Sequence, residues 1–335
     1  MSVGRPGDRT GWTRRAAGRA LVGLAGTALA GLPARAATGP FDDWLKGLRA
    51  DARNEGIRAP TLDAALQGVS PIARVLELDR KQPETTLTFD QYIERVVPQS
   101  RVDRARERYT QRRPLLDEVS QRYGVPGRFI VALWGIESDF GQQTGGFSVV
   151  AALATLAYDG RRAAFFRREL LDALKILDRG DITPAAMKGS WAGAMGQSQF
   201  MPSSFLRYAV DFNGDGRRDI WSDGPDLFAS IANYLQSVGW HAGETWGRAV
   251  VVPPGFDARQ AGLERLRPMV EWAALGVRRA DGLPIDSNDP PAALLFPGGD
   301  TGPGYLVHDN FRVILRWNRS NYFATAVGLL ADRIE

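Results

Sequence analysis

The chain has 335 residues, 44% hydrophobic and 24% charged, an ordinary composition for a soluble globular protein that excludes wholesale disorder. Its formal charge of +4 belongs to the first 36 residues, which hold six arginines (Arg5, Arg9, Arg14, Arg15, Arg19, Arg35) against Asp8; the remainder carries 36 basic and 37 acidic residues. That balance leaves no footprint for nucleic acid, and the absence of cysteine excludes disulfides, thiol nucleophiles and cysteine metal sites.

In chain order, Arg14, Arg15 and Arg19 precede an apolar run over residues 20–32, followed by Ala34-Arg35-Ala36. A basic region, a short apolar core and an A-x-A site predict a cleaved secretory signal over residues 1–36. The run is too short to span a bilayer comfortably, and Arg14-Arg15 after Thr13 weakly matches a twin-arginine signal. Residues 37–240 read as mainly helical. Trp44, Leu45 and Leu48 stand at helical spacing within residues 41–56, and residues 89–97 repeat the pattern. Residues 101–123 continue as one long charged helix, whose run RVDRARERYTQRR is a solvated face or a grip for an anionic polymer. Another helix starts at Pro202-Ser203-Ser204. After Trp240, the runs RAVVVP, AALLF, GYLVH and FRVILRW, broken by Gly, Pro and Asp, predict a β-rich portion over residues 241–317. Residues 318–335 return to helix and rejoin the core. No repeat or linker divides residues 37–335.

Two features carry chemistry. With His241 and His308 the only histidines, and neither beside a nucleophile elbow, the work falls to carboxylates, hydroxyls, amides or an ion. In VPGRFIVALWGIESDFG, a helix from Pro126 to about Gly141, the residues Ile130, Leu133 and Trp134 define a buried stripe. Glu137 is the next position of that stripe. A carboxylate there is either paired, with Arg161, Arg162, Arg167 or Arg168 as the available arginines, or raised in pKa and able to donate a proton. Asp139, two residues on, points to another face and is no facing partner. In KGSWAGAMGQSQFMPSSF the glycines permit close backbone approach. There Ser190, Gln197 and Gln199 offer neutral hydrogen bonds to sugar hydroxyls and acetamido groups, and Met195, Phe200 and Met201 either floor a groove or, as is commoner for each residue singly, pack in the core.

These segments, with ALATLAYDGRRAAFF between them and DNFRVILRWNRSNYFATAVGLL near the end, resemble the membrane-bound lytic murein transglycosylase B family. The resemblance runs in order from about residue 41 to the C-terminus. It implies a mainly α, lysozyme-like α+β fold, with a helical catalytic core and a small β-rich subdomain. It implies Glu137 as the catalytic acid/base and Ser190, Gln199, Trp317 and Asn318 as substrate-binding residues. The family often has tyrosine where this chain has Trp317. The implied reaction cleaves the MurNAc–GlcNAc bond of peptidoglycan glycan strands without water and closes a 1,6-anhydro ring, so no second carboxylate and no catalytic cofactor are expected. The rivals are a hydrolytic muramidase and a non-catalytic peptidoglycan-binding scaffold. With no cysteine to carry lipid, the expected location is the periplasm, in soluble form. No nucleic acid is expected as partner.

The segment DFNGDGRRDIWSD places Asp211, Asn213, Asp215 and Asp219 at positions 1, 3, 5 and 9 of an EF-hand-like loop, with Gly216 at 6 and the Arg217 carbonyl at 7. Position 12 is Ser222, so closure is expected through Asp223 in a longer loop. The resemblance implies a structural calcium ion; the alternative is an Asp/Gly-rich turn without metal.

Overall fold

The computed structural model describes residues 41–81, 87–159, 162–299 and 302–334, and the expected leader lies outside them. Helices dominate: α1 (Phe41–Asn54), α2 (Ala59–Leu66), α3 (Ala73–Arg80), α4 (Phe89–Val96), α5 (Gln99–Gln111), α6 (Arg113–Tyr123) and α7 (Gly127–Ser138). After a two-residue strand β1 (Phe147–Ser148) come α8 (Val149–Tyr158), α9 (Ala163–Arg179), strand β2 (Lys188–Gly189), α10 (Pro202–Tyr208) and α11 (Pro225–Ser237). Local chemistry starts several of them. Thr88 and Gln91 form a reciprocal capping box on α4, and Pro202 opens α10 at a position where its missing N–H costs nothing.

The expected single helix over residues 101–123 is two. Arg112 leaves the helical region at φ −105°, ψ 8°, and α6 restarts with Pro114 in its first turn. Proline cannot donate to a carbonyl one turn back, so the ladder breaks there. The arginines of this run are not a free basic face. Arg101 and Arg104 reach Asp139, Arg106 donates to the Arg333 carbonyl, and Arg112 pairs with Asp223.

Helix α7 is the axis of the molecule. Phe129, Ile130, Val131, Ala132, Leu133 and Trp134 are all buried, so its burial is all-round rather than the single stripe expected. Gly135 allows Phe140 to fold back beneath it; a Cβ there would meet the Phe140 ring at 2.7 Å. The turn that achieves this puts Asp139 (φ 51°) and Phe140 (φ 57°) in the left-handed region.

The β-rich portion is a four-stranded antiparallel sheet of β3 (Gly247–Val251), β4 (Arg278–Arg279), β5 (Ala293–Leu295) and β6 (Gly304–Val307), in the order β4-β3-β6-β5, with helix α12 (Met269–Ala274). Strand alternation divides its faces. Ala293, Leu295, Tyr305 and Val307 join the helical core, whereas Val250, Leu294 and Leu306 pack with Met269 and Trp272 in a second core. FRVILRW, expected as strand, is instead helix α13 (Asp309–Trp317), followed by α14 (Asn321–Asp332). Phe311 and Ile314 are both buried, one helical turn apart, and a short apolar run fits either period. None of the described helices is long and apolar enough to cross a membrane.

Candidate active site

Glu137 sits in the last turn of α7, where that helix meets the end of α13 and the start of α10. Gln199, Phe200, Met201, Ser204, Tyr234, Trp317 and Asn318 line the cleft around it. Of the acidic side chains among the described residues, Glu137 alone lines this cleft. Among the described residues no arginine pairs with it: Arg162 is held by Asp79 and Arg167 by Asp51. Among the described residues its one side-chain hydrogen bond comes from Trp317, whose Nε1–H donates to Oε1 at 2.7 Å. Enclosure disfavours the ionised form and pushes the carboxyl up to about 8, against the smaller downward pull of the indole N–H. The nearby Tyr92 hydroxyl is raised as well, first by burial and then by the charge on Glu137.

Trp317 is itself fixed. Its ring lies 4.7 Å from that of Tyr234 and 5.3 Å from that of Phe200, and the Tyr234 hydroxyl donates to the Arg316 carbonyl at 2.7 Å. Asn318, buried at the end of α13, accepts the Ser320 amide through Oδ1. Asp139 points away from the cleft toward Arg101 and Arg104, as expected of a residue two positions from Glu137.

The glycine-rich segment is folded by close backbone approach. A Cβ on Gly145 would meet the Gly189 carbonyl oxygen at 2.2 Å, and one on Gly189 the Ala194 carbonyl oxygen at 2.1 Å. Only glycine allows three stretches of chain to touch this way. Gln199, at φ 52°, is bent into the cleft, and its Nε2 donates to the carbonyls of Gly196 and Thr144. Its Oε1 accepts nothing from a described residue. Ser190 is not among the residues lining the pocket at Glu137, and its Oγ accepts the amides of Ala192 and Ala194. Gln197, expected as a sugar partner, is structural: it accepts from Trp134 Nε1 at 2.7 Å and donates to the Trp221 carbonyl. Glu169, buried on α9, accepts the Ser203 amide and hydroxyl and so holds the start of α10 beneath the cleft.

Tyr92 and Tyr234 had no sequence signal, since each reads as one more aromatic on an apolar helix face. Phe200 and Met201, expected as a floor, do line the cleft.

The acidic loop is rearranged from its expected ligand set. Carboxylate oxygens of Asp211, Asp215 and Asp226 lie within 4.8 Å of one another. Asp226 replaces Asp223, which is turned to Arg112 at 2.7 Å. Asp219 is also diverted, accepting from Trp221, Ser222 and the Ser222 hydroxyl. Asn213 faces Asp215, and Arg217 donates its amide to the same residue. Spacing rules for a 12-residue loop hid Asp226, which lies fifteen positions after Asp211. Three converging carboxylates, one of them buried and accepting three amides, form an oxygen donor set suited to a hard divalent cation.

The family described as Transglycosylase SLT domain matches residues 40–332. Over 228 residues the chain is 37% identical to the membrane-bound lytic murein transglycosylase B of Escherichia coli (strain K12), a match that spans 65% of this chain and 60% of that relative's length. The structure resembles SltB3 from Pseudomonas aeruginosa in complex with NAG-anhNAM-pentapeptide, with a TM-score of 0.85 and 47% identity, covering 88% of this chain and 79% of that one. It also resembles the Escherichia coli lytic transglycosylase Slt35 in complex with calcium, with a TM-score of 0.73 and 31% identity, covering 89% of this chain and 93% of that one. A helical core, a half-buried glutamate and a glycine-folded cleft thus coincide with a family match over nearly the whole described chain, and the chain belongs to the transglycosylase SLT domain family.

Proposed function

We propose that this protein is a peptidoglycan lytic transglycosylase, cleaving the MurNAc–GlcNAc β-1,4 bond without water and leaving 1,6-anhydro-MurNAc ends. The observation that carries this reading is the lone, enclosed carboxyl of Glu137, pushed up to about 8 in a cleft with no second acid among the described residues. At neutral pH such a group holds its proton and donates it to the glycosidic oxygen. The muramoyl N-acetyl group assists departure, and the resulting carboxylate takes the proton of the sugar's own 6-hydroxyl as the anhydro ring closes. A hydrolase of the two-carboxylate type needs a second acid to activate water or form a covalent intermediate. Asp139 is committed to two arginines instead. The neighbour held with NAG-anhNAM-pentapeptide supports the same substrate class. Gln199 Oε1 and Asn318 are the polar groups best placed to meet sugar substituents.

Two further parts of the proposal lie outside the cleft. Asp211, Asp215 and Asp226 hold a structural calcium ion, supported by their convergence and by the calcium complex of Slt35. The leader over residues 1–36 directs the protein to the periplasm, supported by its basic, apolar and A-x-A pattern.

Mass analysis of purified sacculi digested with wild type and Glu137→Gln tests the reaction. The wild type is expected to release anhydro muropeptides, and the variant to lose about 10²–10⁴-fold in rate. Exclusively hydrated, reducing-end products would overturn the proposal.

A further inference from the structure

We propose that Trp317 is a positioning residue for Glu137, whose indole N–H keeps Oε1 an acceptor and leaves Oε2 to carry the proton that is transferred. This role rests on the transglycosylase reading of the cleft and adds to it a direction for the proton.

An indole N–H donates and never accepts. When the carboxyl is protonated, the oxygen facing Trp317 is therefore preferentially the one without the proton, because the carbonyl oxygen is the stronger acceptor. Oε1 accepts at 2.7 Å, and Oε2 accepts no hydrogen bond from a described residue. A carboxylic acid with both oxygens equivalent divides its proton between two orientations; here the indole selects one. The same N–H is charge-assisted once the group ionises, so it also stabilises the carboxylate required in the second half of the reaction. Among the described residues it is the hydrogen-bonding group that opposes the desolvation of Glu137.

The geometry suits a fixed donor rather than a mobile one. Trp317 is the last residue of α13, and its ring is held between Tyr234 and Phe200. The Tyr234 hydroxyl grips the carbonyl of Arg316, one residue before it. A tyrosine at this position would bring a hydroxyl that both donates and accepts, and could present a lone pair to the protonated acid. Tryptophan removes that ambiguity.

Trp317→Phe keeps an aromatic ring and deletes the donor, while Tyr234→Phe loosens the ring's anchor and leaves the donor in place. Titration of ¹³C-carboxyl-labelled glutamate by NMR, assigned with Glu137→Gln, reads the Glu137 pKa directly and needs no turnover. Trp317→Phe is expected to raise it by about one unit, the shift expected from losing one hydrogen bond to a charged group; Tyr234→Phe should raise it by less. On peptidoglycan, kcat is expected to fall about tenfold with KM within about twofold, because orientation rather than binding is lost. A Glu137 pKa unchanged or lowered in Trp317→Phe, or a rise in KM with kcat retained, would overturn the inference and make Trp317 a sugar platform. Failure of the transglycosylase reading would show separately, as absent anhydro products from the wild type.

Discussion

Glu137 illustrates how a single residue trades stability for chemistry. Its carboxyl binds its proton more tightly in the folded chain, about 8 against an ordinary value of 4.5. Ionisation therefore opposes folding: the stability associated with the neutral form is fully present below about 4.5 and is lost as pH rises through about 8. Glutamine keeps the shape without the charge. Thermal melts of wild type and Glu137→Gln should nearly coincide at pH 4, with the variant increasingly the more stable from about pH 5 to pH 8 and the gap level above that. A difference independent of pH would show that the enclosure of the carboxyl has been misjudged. Activity should decline as pH rises through about 8, because the first step needs the acid form.

At the scale of elements, the acidic loop shows how short segments borrow their geometry from neighbours. Its ends are pinned by Arg218 to Asp181 beyond α9 and by Asp223 to Arg112 before α6. Asp226, in the first turn of α11, turns inward and collects the amides of Phe212, Asn213 and Asp219. A divalent ion bound there stabilises the folded chain by mass action. Chelation with EDTA should accordingly lower the melting temperature of the wild type. Asp226→Asn should abolish that chelator response, whereas Asp223→Asn should retain it, since Asp223 is engaged elsewhere. Comparing melts with and without EDTA for each variant cancels the effect of the substitution on the metal-free fold. A chelator response kept in Asp226→Asn and lost in Asp223→Asn would restore the ligand set expected from spacing.

Across the whole molecule, Trp246 adds a tight aromatic contact to the sheet face that joins the β-rich portion to the helical core. Trp246, just before β3, lies flat on α14, where a Cβ on Gly328 would meet its ring at 2.2 Å, and its Nε1 donates to Asp332 at 2.9 Å. Helix α14 in turn packs along α7, so this junction adjoins the helix that carries Glu137. Gly328→Ala should destabilise the protein by about 1–3 kcal/mol through overpacking, measurable by urea unfolding. An unchanged midpoint would mean that the two parts separate readily. The same docking explains why α13 is a helix despite its strand-like composition. His308 ends the sheet with its amide on the Trp246 carbonyl, and Phe311 and Ile314 then fill the core from one helical face.

What the sequence determined by itself was mostly local. Helical periodicity, the opening proline of α10, the glycine-rich contact loop and the displaced carboxylate at position 137 all follow from neighbours within a few residues. Local spacing also excluded Asp139 as a facing acid. Only tertiary structure decided the rest, because it turns on partners far apart in the chain. The donor to Glu137 comes from 180 residues away. Which carboxylate joins the acidic cluster is chosen by packing that turns Asp226 inward, and Gln197 is engaged by the Trp134 indole and the Trp221 carbonyl. A short apolar run such as FRVILRW suits helix and strand alike until the surface it covers exists. Burial, which sets both the chemistry of Glu137 and the shape of its surroundings, is a property of the assembled core.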